Sequence, residues 1–336
     1  MSDVYELTGL RQLADHLARE ARVVAPQHDG EHRCFALLSE DGDLEICREP
    51  SQLPLAAKPF LFAERESLFV FDGARFVETP APSEPLVLFG LTACDLTAIA
   101  YLDRFFEGDP HYVARRRAAL LVGVDCERGC RDGFCDAMDA GPGVRDGSAD
   151  LVVHTAPDAS PLLFIGSERG AAAVAGLALE PAPADATERR ARGLEAAEAS
   201  LGARPHIAAG IARLDAGEVS AELWEELGLR CLACSGCTTV CPTCTCFTTT
   251  DEPEGDGARR LRYWDSCLFE GFQREASGHH PAPTAGMRLE RFFRHKLGEP
   301  VRARFGRATC VGCGRCESAC PAVLGIHSTL GRIAAT

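Results

Sequence analysis

Cys231-Leu-Ala-Cys234-Ser-Gly-Cys237-Thr-Thr-Val-Cys241-Pro242 and Cys310-Val-Gly-Cys313-Gly-Arg-Cys316-Glu-Ser-Ala-Cys320-Pro321 are two copies of one pattern, C-x2-C-x2-C-x3-C-P. This is the spacing that holds 4Fe–4S clusters in two-cluster ferredoxins. Three thiols two residues apart wrap one corner of a cube, and the fourth, carried on by a helical turn, reaches the neighbouring cluster. Under that exchange one set is Cys231, Cys234, Cys237 and Cys320, and the other is Cys310, Cys313, Cys316 and Cys241. Structural zinc instead takes its four ligands as paired knuckles separated by a loop. Four cysteines within eleven positions, twice, with a proline after each, favour iron–sulfur over zinc. Gly236, Gly312 and Gly314 keep the loops small and free backbone N–H groups for the cluster sulfurs.

Bulk properties bound the rest. The 336 residues suffice for two or three domains, and 46% apolar with 25% charged residues is ordinary for a soluble globular chain. A net charge of −14 argues against nucleic acid or an anionic membrane as partner. Seventeen cysteines without an N-terminal basic-then-apolar pattern point to metal binding in a reducing, cytoplasmic compartment rather than to disulfides. The longest apolar stretch, Leu86 to Leu102, carries Gly90 and Asp95 in its middle, which suits a strand, turn and helix better than a membrane span.

Upstream of residue 180 the pattern is α/β. Residues 8–20 have helical apolar spacing, and strand-like runs follow at Arg22–Ala25, Cys34–Leu38 and Leu44–Cys47. Leu86–Phe89 and Ala118–Val124 read as buried strands, with a helix from Leu96 to Phe106 between them. Two further strands are expected at Asp150–His154 and Leu162–Ile165. After the connector Pro181-Ala-Pro-Ala-Asp, residues 186–229 read as helical. The segment between the cysteine runs is expected to be largely helical too, with loops at Asp251–Gly257 and Gly278–Pro283. The expected architecture is therefore an α/β domain over 1–180 and an α-helical, ferredoxin-type dicluster domain over 186–336.

A second cysteine group lies in the first domain. Cys94 and Cys126 each follow a buried strand, so neighbouring parallel strands would bring both thiols to one sheet edge. Cys130 and Cys135 sit in the Gly-rich loop Arg128-Gly-Cys-Arg-Asp-Gly-Phe-Cys. The four form a donor set for a third 4Fe–4S cluster; zinc, or plain buried cysteines, are the alternatives. Cys244, Cys246 and Cys267 form a rival ligand set near the first run, whereas Cys34 and Cys47 read as core residues. Cys237, Cys241 and Cys244 match a radical-SAM spacing only by using two cysteines of the first run. No G-x-G-x-x-G follows a strand, and no P-loop or H-E-x-x-H is present, so no nucleotide or flavin site and no catalytic residue is expected in this chain. His279-His280 precedes a proline in a loop and reads as solvated.

Several further stretches carry a resemblance. They are Lys58-Pro-Phe-Leu-Phe with Glu66 and Leu68; Phe89-Gly-Leu-Thr-Ala-Cys-Asp95; and Asp109-Pro-His-Tyr-Val-Ala-Arg-Arg116. The series continues with the Cys126–Cys135 loop, Cys241-Pro-Thr-Cys-Thr-Cys-Phe247, Arg262-Tyr-Trp-Asp-Ser-Cys267, His295-Lys296 and the second run itself. With these the chain resembles the β subunits of cytoplasmic multimeric NiFe-hydrogenases, the sulfhydrogenases, and the related A subunit of anaerobic sulfite reductase. The resemblance implies a non-catalytic subunit relaying electrons through 4Fe–4S clusters, the third included. Its implied partners are a flavin/NAD(P)-binding subunit and the NiFe-hydrogenase small and large subunits. The alternative is a siroheme sulfite reductase subunit; a stand-alone iron–sulfur enzyme is a more remote reading. Three positions depart from the family pattern: Thr92 stands for an expected Arg, Ala63 for Pro, and Gly278-His-His-Pro for Asn-Pro-Arg.

Overall fold

The computed structural model describes residues 3–29, 32–39, 44, 53–157 and 159–336, so most of the expected strand Leu44–Cys47 lies outside the described residues. A short strand β1 (Val4–Glu6) leads into α1 (Leu10–Leu17), which buries Leu13 and Leu17 as its spacing predicts. A hairpin of β2 (Arg22–Asp29) and β3 (His32–Leu37) follows, then β4 (Arg65–Phe71), β5 (Phe76–Glu78) and β6 (Leu86–Thr92). Helices α2 (Ala93–Phe105) and α3 (Pro110–Ala118) precede β7 (Ala119–Val124). The first half closes with β8 (Leu151–Ala156), β9 (Ala159–Ile165), α4 (Glu168–Ala173) and β10 (Glu180–Pro181).

These strands build one eight-stranded sheet in the order β10-β1-β9-β8-β7-β6-β2-β3. Its centre, β8-β7-β6-β2, is parallel, and antiparallel strands finish both edges. β6 and β7 are buried along almost their whole length, as strands covered on both faces must be. Their register pairs Thr92 with Val124, so the segments that follow, Cys94-Asp95 and Asp125-Cys126, leave the sheet side by side at its C-terminal edge. α2 begins three residues earlier than the apolar periodicity suggests. Thr92 stays extended at the cap and donates its hydroxyl to Asp95 Oδ2 at 2.9 Å, while Asp95 occupies the first turn, where a carboxylate favours a helix N-terminus.

The second half is helical at both ends. α5 (Ala186–Leu201), α6 (Pro205–Ala216) and α7 (Ala221–Arg230) lead straight into the first cysteine run, which ends in the one-turn α8 (Gly236–Thr239). The segment between the runs departs from its helical expectation. It opens with a hairpin, β11 (Phe247–Glu254) and β12 (Gly257–Trp264), across the stretch 251–257 expected to be a loop. The β-branched run Thr248–Thr250 favours a strand, and Gly255, in the left-handed region, allows a two-residue turn. β12 then pairs with β4 to give a second sheet, β11-β12-β4-β5, with strands from both halves of the chain. Arg262 on β12 locks that seam: buried itself, it donates through Nε to Glu66 Oε1 at 3.0 Å and also pairs with Asp109.

Helices α9 (Ala285–Leu297), α10 (Glu299–Phe305), α11 (Arg315–Ser318) and α12 (Ile326–Ala335) complete the fold, with the second cysteine run lying between α10 and α12 and containing α11. Pairs α7/α9 and α6/α12 pack against each other around Trp224, Phe292, Phe293 and Leu330. A smaller apolar cluster of Cys94, Ala98, Ala140 and Val311, with Cys135 and Cys313 against it, joins the α/β part to the second run. No helix among the described residues is long and apolar enough to cross a membrane.

The two runs share a backbone. Ala233 and Ser235 have φ of 48° and 61°, and the matching Gly312 and Gly314 have 64° and 76°. A side chain on Gly312 would place its Cβ 2.5 Å from the Phe134 carbonyl oxygen, because the Cys126–Cys135 loop lies on the second run. Gly312→Ala is therefore expected to lose about 1–2 kcal/mol from handedness alone and more from displacing that loop. Ala233→Gly, which relieves the same conformation in the first run, is expected to shift the thermal midpoint the opposite way. Parallel melting curves of the two variants check this.

Candidate metal centres

The backbone of each run turns left-handed twice and then enters one helical turn, which gathers its cysteines on the inside of the loop. Cys231, Cys234 and Cys237 line one small cavity together with Cys320 of the other run. Leu268, Leu289 and Leu324 wall it, and the Leu324 N–H donates to Cys320 Sγ at 3.4 Å. Burial, then the neighbouring thiols of Cys320, Cys231, Cys241 and Cys234, push the Cys237 thiol up to about 12.

Cys241 leaves that cavity and approaches the second run. Burial pushes the Cys310 thiol up to about 12, opposed by the Gly312 N–H it accepts at 3.4 Å and reinforced by Cys241 and Cys313. Cys316 is raised by burial and by the same neighbours, Cys310, Cys313 and Cys241. Both cross-run groupings expected from the spacing are thus spatial neighbourhoods.

The third group converges as well. Cys94, Cys126, Cys130 and Cys135 line one cavity, whose wall includes Gly129, Gly133, Gly141 and Cys313. Burial raises Cys94 and Cys126 well above the ordinary thiol value, and the Cys135 thiol to about 12. A Cβ at Gly133 would come within 2.9 Å of Cys130 Cβ, so a larger residue there would crowd this loop. The three groups form a file: Cys313 borders the Cys94 cavity, and Cys237 is a neighbour of Cys241. At the far end Cys234 is exposed. Among the described residues no group of three or more His, Cys, Asp or Glu side chains converges as the donors of a single metal ion do.

Buried cations test what these thiols hold. Lys58 and Lys296 are only 5% and 2% exposed, and among the described residues neither pairs with a carboxylate. Lys58 Nζ donates to the Cys244 carbonyl at 3.2 Å and lies 3.7 Å from the Trp264 ring centroid. Lys296 Nζ donates to Thr243 Oγ1 at 2.9 Å. Burial works against the Lys296 charge, yet the neighbouring acidic groups, Cys241 first and then Cys244, Tyr101 and Cys310, outweigh it and hold the amine well above its ordinary value. An unpaired buried ammonium is costly, whereas a thiolate-ligated cluster beside it supplies the missing negative charge. Thiol donors, small cradling loops and these lysines fit 4Fe–4S clusters.

A third cation, Arg315, sits inside the second run. Its Nη1 donates to Asp95 Oδ1 at 2.7 Å and its Nε to the Leu53 carbonyl at 3.1 Å, and both charged partners are almost fully buried. Thr92, standing where the family pattern has Arg, contacts Cys94 Sγ at 3.2 Å through its hydroxyl. Positive charge reaches Cys94 from Arg315 instead, opposing the rise that burial causes. Sequence reasoning missed this pair and the two lysines. Their only signal was position, since Lys58, Asp95, Lys296 and Arg315 all fall within the stretches that carry the family resemblance.

The remaining cysteines divide. Cys244 is buried and shares a hydrogen bond with Cys241, and Cys246 shares one with Cys267. Cys34 lies on edge strand β3.

Residues 230–324 match the family model for a 4Fe-4S dicluster domain. The chain is also 29% identical over 316 residues to the sulfhydrogenase 2 subunit beta of Pyrococcus furiosus, a match spanning 92% of this chain and 91% of that one. The chain is thus similar to that β subunit along most of its length. No solved structure matches it. The alignment takes in the α/β half and the Cys94 group as well as the dicluster segment, so the likeness to that β subunit is not confined to the cysteine runs.

Because the Asp95–Arg315 pair is buried, Arg315→Leu leaves a carboxylate unpaired beside Cys94, a loss of about 3–5 kcal/mol. The double variant Asp95→Asn with Arg315→Leu is expected to recover part of that. Chemical denaturation of the single and double variants measures both.

Proposed function

We propose that this chain is an electron-transfer subunit carrying three 4Fe–4S clusters inside a cytoplasmic, NAD(P)-linked NiFe-hydrogenase complex. The observation that carries the reading is the file of three four-thiol groups, each bordering the next. In it Cys94, Cys126, Cys130 and Cys135 hold one cluster; Cys241, Cys310, Cys313 and Cys316 the next; and Cys231, Cys234, Cys237 and Cys320 the last. The α/β part, residues 1–180, presents the first group, and the part from 186 onward presents the other two on an α-helical, ferredoxin-type frame. When bound, each cluster supplies reversible one-electron storage.

The protein's own residues set the conditions for transfer. Apolar walls such as Leu268 and Leu289 keep water from the thiols, and low-dielectric surroundings strengthen every charge that remains. Lys296 and Arg315, both held well above their ordinary values, offset the negative charge that each added electron brings, so reduction costs less at the centres they border; burial lowers Lys58 instead. N–H groups of Gly312 and Leu324, aimed at Cys310 and Cys320 sulfur, act in the same direction. The exposed Cys234 end is where an outside redox partner approaches most closely. A flavin/NAD(P)-binding subunit and the NiFe subunits are the proposed neighbours in the complex, a reading supported by the sulfhydrogenase relative.

Anaerobic purification tests this. The protein is expected to be brown, with about twelve iron and twelve acid-labile sulfide per chain, counting four per cubane. Cys94→Ser is expected to lose about four of each. The isolated chain is expected to be inactive with NAD(P)H or H2. A colourless, zinc-loaded chain would overturn the proposal.

A further inference from the structure

A cavity of about 760 Å³ belongs to none of the three thiol groups. Cys246 and Cys267 lie in its wall, which Phe247, Phe272, Arg291 and Arg294 also line. The β11–β12 hairpin explains how two cysteines twenty-one positions apart meet. Phe247 pairs with Trp264 at the open end of the hairpin, and the Asp265 N–H donates to the Cys246 carbonyl at 3.0 Å. Cys246 therefore enters the hairpin where Cys267 leaves it.

The two sulfurs are not equivalent. The hydrogen bond from Cys267, the backbone N–H of Cys267 and the charge of Lys296 outweigh burial and hold the Cys246 thiol down to about 6. Cys267 is buried, whereas Cys246 is partly open to solvent. This is the arrangement of an attacking thiolate with a resolving thiol behind it. Asp215, also in the cavity wall, is occupied by Arg302 at 2.5 Å, and Arg294 by Glu290 at 2.7 Å. Among the described residues Arg291 has no ion pair, which leaves one cation for an anionic ligand.

We propose that Cys246 and Cys267 form a redox-active dithiol that exchanges with a small anionic disulfide held in this cavity by Arg291 and the flanking aromatic rings. Cys246 thiolate attacks one sulfur of the ligand; that S–S bond breaks, a mixed disulfide forms, and the first thiol leaves with a solvent proton. Cys267 then gives up its proton and attacks Cys246 sulfur. The Cys246–Cys267 bond forms, and the second thiol departs with that proton. The ligand gains two electrons, which the cysteine pair loses. Two electrons and two protons restore the dithiol. The donor is the reduced 4Fe–4S clusters, a step that rests on the proposed function, since Cys267 is a neighbour of Cys237.

The full chain, purified anaerobically, is mixed with 5,5′-dithiobis(2-nitrobenzoate), an aromatic dianionic disulfide. A fast phase releasing two thionitrobenzoate per chain is expected. Cys246→Ser is expected to abolish that phase with iron content unchanged, and Cys267→Ser to halve it, leaving a mixed disulfide visible by mass. Arg291→Glu is expected to slow it at least tenfold while leaving the rate with neutral 2,2′-dithiodipyridine unaltered. An unchanged fast phase in Cys246→Ser, or loss of iron in Cys246→Ser or Cys267→Ser, overturns the dithiol. A normal fast phase in a chain without iron upholds the dithiol and removes the electron-transfer reading instead.

Discussion

The ion pair between Asp95 and Arg315 joins the first turn of α2, beside Cys94, to the cysteine run that carries Cys313 and Cys316. Neither charge tolerates burial alone. The two parts of the chain are therefore held at one separation and one orientation, with the Phe134 N–H bonded to the Gly312 carbonyl at 2.7 Å as a second tie. The Cys94 group borders the Cys310 group because of that seat. A relay depends on such proximity, since an electron carrier separated from the next by a flexible hinge is of little use.

Charge balance is the other constraint. A chain with a net charge of −14 still buries Lys58, Lys296 and Arg315 beside its cysteines. Of these only Arg315 has a carboxylate partner among the described residues. The lysines make physical sense against thiolates that stay deprotonated, which is the state a metal cluster enforces. Buried carboxylates stand there too, Asp95 beside Cys94 and Asp125 beside Cys126, so the buried cations balance more than the thiols alone.

Much of this was legible in the residues. The twin runs fixed the expected exchange of Cys241 and Cys320, because a spacing of two and three residues is a local geometric statement. Buried strands ending in Cys94 and Cys126 announced a shared sheet edge for the same reason, since parallel neighbours align their C-terminal ends. What escaped was non-local. The hairpin at Phe247–Trp264 looks like a loop until β4, nearly two hundred residues upstream, supplies its partner strand. Nor does anything within Gly314-Arg-Cys316 say that its arginine answers Asp95, and the meeting of Cys246 with Cys267 follows only from the hairpin register.

Electron paramagnetic resonance of the fully reduced protein tests the central claim, that the three thiol groups hold neighbouring clusters in one file. The account predicts three spins per chain, with spectra broadened and split by magnetic coupling between adjacent centres. In Cys94→Ser it predicts a simpler spectrum from the remaining coupled pair. Three magnetically isolated signals, or a wild-type spectrum that the Cys94→Ser variant reproduces unchanged, would contradict it.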